Sequence, residues 1–324
     1  MFRGLGGRAA WVVISLGSAA LAPLAAQAAT ISGVSNGISW TAESHIVGVT
    51  STGTVATGGD PIHLPNRPGK NGVVGLLMDY GAAGRFVCSG SLLGDRRSIV
   101  TAGHCVSSGG GAPDAGLIST TAFFYDGGPT GTTDLAVYQQ AGATQVAVSD
   151  YFVNSEYTGE VIDQNDIAVL RLSQLAPAFA TSYTLYDGDL EGEGFNVAGY
   201  GARSSGGGAV GTTSPFGIGA GRLREGDNRY EFRFGDADFG GFWTDLDMNG
   251  ENFFGTAEID FSYVSDFDNG LGANDSSCRL ASAFGLGGPK YCNLGVGARE
   301  VSTAGGDSGG PEFVNGQLAS ITSY

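Results

Sequence analysis

Positive charge is scarce in this chain of 324 residues. Only Lys70 and Lys290 are lysines, and 16 Lys+Arg stand against 32 Asp+Glu, a formal net charge of −16. Phosphate backbones and anionic lipid surfaces would be repelled, so non-specific nucleic-acid or membrane-surface binding is excluded. Cysteine is also sparse: Cys88, Cys105, Cys278 and Cys292. None forms a C-x-x-C, and no histidine stands near the last two, which argues against a structural zinc. Beyond the N-terminus no run of about 18 apolar residues occurs, so no later segment is expected to span a membrane. The 57 glycines follow no G-X-Y period, which excludes collagen. No heptad and no fixed-period repeat is found.

What is present is a core-forming composition, 42% hydrophobic with 10% aromatics. The length allows one large domain or two ordinary ones. Residues 1–28 read as a secretory signal peptide. Arg3 and Arg8 precede a largely apolar stretch, 9–22, and Ala26-Gln27-Ala28 supplies a small-x-small cleavage site. That stretch is too short for a comfortable membrane span. Export predicts an oxidising compartment, periplasmic or extracellular, in which cysteines pair. Four cysteines allow three pairings, and the two close pairs would each close a short loop.

Residues 29–70 are rich in Gly, Ser and Thr and read as an N-terminal extension or propeptide. From Asn71 onward short apolar runs alternate with turn clusters. The segments 73–78, 86–93, 99–102, 122–125, 135–138 and 167–172 read as strands, with loops at 109–114 and 127–133. A second series follows at 195–200, 230–234, 257–264 and 318–322. Residues 204–221 read as a long loop or linker. Few amphipathic helical stretches are present. Many short strands joined by Gly-rich turns predict an all-β architecture.

Three segments carry chemistry. Thr101-Ala102-Gly103-His104-Cys105 comes first, Asn165-Asp166-Ile167-Ala168-Val169-Leu170 second, and Gly306-Asp307-Ser308-Gly309-Gly310-Pro311 third. They supply a His, an Asp and a Ser. A free serine hydroxyl is a poor nucleophile and needs a base to take its proton. His104 suits that task, because imidazole titrates near neutrality. Asp166 opens an apolar strand-like run and would hold the imidazole in one tautomer. The glycines around Ser308 let the amides of Gly306 and Ser308 face one developing oxyanion. His45 and His63 have no such context and read as ordinary loop residues.

In order and in context, these segments resemble those of the chymotrypsin/trypsin-like serine proteases. The resemblance covers roughly residues 71–324, with poor alignment over 203–277. It implies two antiparallel Greek-key β-barrels: 71–190, carrying His104 and Asp166, and 191–324, carrying Ser308 and a long insertion. It implies Ser308 as nucleophile, His104 as general acid/base, Asp166 as orienting acid, and the amides of Gly306 and Ser308 as oxyanion hole. It also implies disulfides Cys88–Cys105 and Cys278–Cys292. Ser302, six residues before Ser308, falls at the base of the specificity pocket. It carries no charge, so a neutral side chain before the scissile bond is expected. Ser323 would touch Asp166 and, with Ser302, counts among the expected substrate-binding positions, and the residues after it would pair with substrate. Asp307 corresponds to the acid that receives a freed N-terminus on activation. Ile46-Val47-Gly48-Val49 resembles such a terminus, although His45 and not Lys or Arg precedes it. Ile46 and Val47 also read simply as strand residues.

Two departures stand out. Asp166 and Ser308 are 142 positions apart. The surplus falls between Arg203 and Ser277, where surface loops shaping substrate access are expected. The chain ends at Tyr324, so the second barrel is expected to be C-terminally truncated and its pocket wall incomplete. The implied function is a secreted serine endopeptidase acting on protein or peptide substrates, with no organic cofactor. The alternatives are an inactive binding module of the same fold and an esterase using the same triad. No metal ligand is assigned. Asp245-Leu246-Asp247-Met248-Asn249-Gly250 begins like a calcium loop, but Thr256 stands at the twelfth position. Asp266-Phe267-Asp268-Asn269-Gly270 is a second acidic turn, read as solvated, with structural Ca²⁺ the open alternative. Oligomeric state is not legible.

Overall fold

The computed structural model describes residues 61–127, 135–160, 162–204, 217, 219–268 and 270–323, together with the backbone of 31–35, 38–42 and 45–48. The signal-peptide segment, most of the 127–133 and 204–221 loops, and Tyr324 lie outside the described residues.

Strands β1 (Ile31–Ser35) and β2 (Ile38–Ala42) form an antiparallel hairpin. Strand β3 is His45–Gly48. Six strands then close into an antiparallel barrel: β4 (Val73–Asp79), β5 (Arg85–Leu92), β6 (Ser98–Thr101), β7 (Ser119–Phe124), β8 (Thr144–Val153) and β9 (Ala168–Leu172). Their order around the barrel is β4-β5-β6-β9-β8-β7. Val74, Leu76 and Met78 alternate along β4 and meet Leu92, Ile99, Phe124, Leu170 and Leu172 inside. Val73 and Phe123 belong to a different core, shared with Ala198, Tyr200, Phe313 and Leu318 of the second half. β4 is therefore buried on both faces, which explains why 73–78 reads as an unbroken apolar run.

The second half is built on β10 (Gly194–Gly199), β11 (Arg224–Arg229), β15 (Pro311–Val314) and β16 (Gln317–Ile321), in the order β11-β10-β15-β16. Among the described residues this sheet does not close, so the architecture is one closed barrel beside an open four-stranded sheet. Strand β14 (Val301–Ala304) pairs with β3, placing Ile46 opposite Thr303 and His45 opposite Ala304. Residues 45–48 are thus extended chain paired to the second half.

Several strand expectations are corrected. Residues 137–139 form a 3₁₀ turn, not a strand. The 230–234 and 257–264 runs shrink to the two-residue pair β12 (Phe232–Arg233) and β13 (Tyr263–Val264). The segment between Arg203 and Ser277 is more than surface loops. Phe232, Phe234, Phe239, Trp243, Phe253, Phe254, Ile259 and Tyr291 bury one another in a small core of their own. The helix α1 (Ser276–Ala283) and the Cys278–Cys292 disulfide close that core. The aromatic module touches the first barrel just ahead of Asp166: Gln164 N–H donates to the Glu258 carbonyl at 2.7 Å. No helix among the described residues is long and apolar enough to cross a membrane.

Candidate active site

β6 ends in a single 3₁₀ turn, Gly103–Cys105, that presents His104. Cys105 is disulfide-bonded to Cys88 on β5. Thr101 Oγ1 donates to the Ser89 carbonyl at 2.7 Å, so the turn is tied to β5 twice. Asp166 precedes β9, the strand that pairs with β6, and this pairing brings it back to His104. Its Oδ1 accepts the His104 backbone N–H at 2.7 Å, and its Oδ2 faces His104 Nδ1 at 2.7 Å. Ser323 Oγ donates to the same Oδ2 at 2.6 Å. Asp166 is only 2% exposed. Burial alone would raise its carboxyl, but the His104 charge and the hydrogen bonds from His104 and Ser323 outweigh it and hold the group below the ordinary carboxylate value.

Ser308 comes from the loop between β14 and β15. Its carbonyl accepts the Ser89 N–H at 2.8 Å and lies 3.7 Å from the Cys105 sulfur. The contacts that bring Ser308 up to the His104 turn thus run through backbone and disulfide. The next residue seals the junction. Gly309 has φ +76°, and a Cβ there would lie 2.0 Å from Thr101 Oγ1 and 2.5 Å from the Ser89 carbonyl oxygen. Only glycine lets the two halves meet this closely.

Asp307, next to Ser308 in the chain, is fully buried. Its Oδ1 accepts the Gly201 N–H at 2.7 Å and its Oδ2 the Ala304 N–H at 2.9 Å. Gly199 and Gly201 make the cradle, because a Cβ on either would fall 2.1–2.2 Å from the carboxylate oxygens. Burial pushes this carboxyl up to about 7, against two backbone hydrogen bonds that pull it down. Ser302 lies on β14, opposite Val47. A cavity of about 750 Å³ lies elsewhere between the halves, lined by Lys70, Tyr183 and Phe313 among others, and includes none of these residues.

The geometry therefore gathers His104, Asp166 and Ser323 in one hydrogen-bonded group with Ser308 docked beside it. Asp307 is bonded instead to Gly201 and Ala304, and Ser302 lies on β14. Sequence reading overlooked Ser89. Its buried Oγ donates to the Gly306 carbonyl at 2.8 Å and accepts the Tyr200 N–H at 2.9 Å, locking the Ser308 loop to both halves. Its position right after Cys88 was the available signal. His63, read as an ordinary loop residue, is buried, with Nδ1 3.2 Å from the Glu225 carbonyl.

A family model described as Trypsin matches residues 73–215, a span that holds His104 and Asp166 and stops short of Ser308. No curated protein matches the chain. The closed antiparallel barrel and the family match agree: residues 73–215 are similar to the Trypsin family, and the mostly-β architecture is consistent with a trypsin-like fold.

Proposed function

We propose that this chain is an exported serine endopeptidase that cleaves peptide bonds through an acyl-enzyme on Ser308. The observation that carries the reading is the Asp166 carboxylate, buried and bonded at once to His104 and Ser323, next to the docked Ser308 loop. Ser308 Oγ attacks the scissile carbonyl carbon while His104 takes its proton. Asp166 keeps the imidazole in the needed tautomer and stabilises its cation. Neither the Gly306 N–H nor the Ser308 N–H donates to another described residue, which leaves both for the oxyanion. His104 then gives its proton to the departing amine, and an ester remains on Ser308. Water adds to that ester, His104 accepts the water's proton, and the proton returns to Ser308 as the carboxylic acid leaves.

Ser302 brings no charge to the expected specificity pocket, which favours a neutral side chain before the cleaved bond. Two disulfides suit an oxidising compartment and accord with removal of residues 1–28 on export. Cleavage after His45 is the proposed activating event. The backbone pairing sets His45 opposite Ala304, whose N–H donates to Asp307, so a new Ile46 ammonium would form beside that carboxylate.

The test is labelling with a fluorophosphonate, followed by a casein digest. Labelling that disappears in Ser308→Ala, together with casein cleavage, is the expected result. Equal labelling of both proteins would favour a binding module, and labelling without casein cleavage an esterase.

A further inference from the structure

Glu231, Asp266 and Asp268 are buried together at the base of the aromatic module, 2%, 8% and 0% exposed. Glu231 lies between β11 and β12, and the two aspartates follow β13. One carboxylate oxygen from each lies within 4.8 Å of those of the other two. Each acid uses one oxygen on neutral donors. Glu231 Oε1 accepts Asn293 Nδ2 at 2.9 Å. Asp266 Oδ2 accepts the Ser277 N–H at 2.9 Å and Ser276 Oγ at 3.1 Å. Asp268 Oδ1 accepts the Gly270 N–H at 3.0 Å. The remaining oxygens, Glu231 Oε2, Asp266 Oδ1 and Asp268 Oδ2, are buried and have no hydrogen-bond partner.

Among the described residues no Lys or Arg pairs with any of the three acids. The charged groups acting on Glu231 are Asp266 and Asp275, of the same sign. Glu300, fully buried beside Asp268 and accepting its N–H at 3.5 Å, has partners of its own and is not counted among the three. An unpaired ion in a protein interior costs several kcal/mol. Three so close together must either take up protons or share a cation from outside, and three orphaned oxygens converging on one point favour the cation.

We propose that Glu231, Asp266 and Asp268 ligate a calcium ion. The donors are all oxygen, which suits a hard cation and disfavours zinc or copper. Ca–O distances of 2.3–2.6 Å allow two ligands of one ion to stand up to roughly 4.6–5.2 Å apart, and the three oxygens lie within 4.8 Å of one another. Asp266 and Asp268 of the acidic turn, expected to be solvated, thus become internal ligands. The turn at 245–250 stays outside the proposal, since Leu246 and Met248 there are exposed. The bound ion would join the end of β11 to the loop before α1. Asn228 extends the link, with Nδ2 donating to the Asp266 carbonyl at 2.7 Å and to the Val301 carbonyl of β14 at 2.9 Å. β14 leads into the Ser308 loop. The site is independent of the peptidase reading.

The test uses the full chain as Ser308→Ala, so that self-digestion cannot mimic a loss of stability. EGTA-stripped protein is titrated with Ca²⁺ by calorimetry and by thermal unfolding. One ion per chain and a rise in Tm of about 5 °C or more at saturation are expected. Asp268→Asn and Glu231→Gln should each abolish the rise, and Asp247→Asn should keep it. No calcium-dependent rise in the parent, a rise preserved in both cluster variants, or one lost only in Asp247→Asn would overturn the proposal. An equal rise with Mg²⁺ at the same concentration would overturn the choice of ion. If a cluster variant fails to fold, a Tb³⁺-soaked crystal of the parent decides. An anomalous peak between the three carboxylates supports the site, and a peak elsewhere removes it.

Discussion

Ser323 Oγ and His104 Nδ1 share one acceptor, Asp166 Oδ2, at 2.6 and 2.7 Å. The bond from Ser323 helps hold the Asp166 carboxyl below its ordinary value. Removing it in Ser323→Ala should move that carboxyl upward and leave it a stronger partner for the imidazolium of His104, so the acid limb of kcat/KM should move to higher pH. Stability follows its own sign: the bonded carboxylate contributes stability above its unfolded value and loses it as pH falls through the folded one, so the variant should lose less on acidification. A drop in kcat/KM of about tenfold is expected, the worth of one hydrogen bond to a charged group. Asp166→Asn, which misorients the imidazole, should cost roughly 10⁴-fold in kcat. A pH–rate profile of Ser323→Ala that overlays the parent's would show that Ser323 merely packs there.

Ser89→Ala tests the residue that the motifs did not announce. The substitution strips the Gly306 carbonyl and the Tyr200 N–H of a buried partner. A loss of about 2–3 kcal/mol is expected, read as a lower urea midpoint at unchanged m-value. Because Gly306 is one of the proposed oxyanion donors, kcat should fall more than KM changes at temperatures where the variant is fully folded. Unaltered kcat in the folded variant would confine Ser89 to stability.

Gly309→Ala should be among the most damaging small substitutions. The added methyl meets Thr101 Oγ1, the Ser89 carbonyl oxygen and the Ala102 nitrogen at 2.0, 2.5 and 2.6 Å, and φ is +76°. Overpacking and a left-handed alanine together should cost about 3 kcal/mol or more. Two of the three clashes are with backbone, so Thr101→Ala should not restore stability or activity in the double variant. Full rescue would mean that the junction yields more easily than its geometry indicates.

The first barrel was legible because most of its strands are short apolar runs bounded by turn clusters and its motifs sit at strand ends, as the 73–78 run and the His104 turn after β6 show. The rest was obscured for identifiable reasons. β11 reads Arg-Glu-Gly-Asp-Asn-Arg and offers no apolar pattern. It is a strand because Arg299 pairs with Glu225 and Asp227 and because Asn228 bonds neighbouring backbone. β8 carries alternate exposed positions and a register shift near Asp150, which blur its period. The aromatic module places Phe239, Trp243, Phe253 and Phe254 at neither a strand nor a helix spacing, since 3₁₀ turns and loops carry them. α1 was not read from the sequence; the signal it offered was Asp275, whose carboxylate caps the Cys278 N–H at 2.6 Å. Whether an acidic turn faces solvent or interior depends on what folds over it, and nothing local to 266–268 records that.

Asp307 gives the chain a pH dependence of a distinctive sign. Burial raises its carboxyl from 3.8 to about 7, so the folded chain holds this proton where the unfolded chain has released it. Stability from this group is therefore complete below about pH 4 and declines as pH rises toward 7. At roughly 1.4 kcal/mol per unit, the loss amounts to a few kcal/mol. Thermal unfolding of uncleaved Ser308→Ala between pH 4 and 8 should show this decline, and Ser308→Ala/Asp307→Asn should show it reduced by that amount. Chain cleaved after His45 should behave differently, because an Ile46 ammonium beside the carboxylate favours its charged form. The decline should then vanish, and Asp307→Asn should remove any activity gained on cleavage. Identical pH curves for cleaved and uncleaved protein would separate Asp307 from activation altogether.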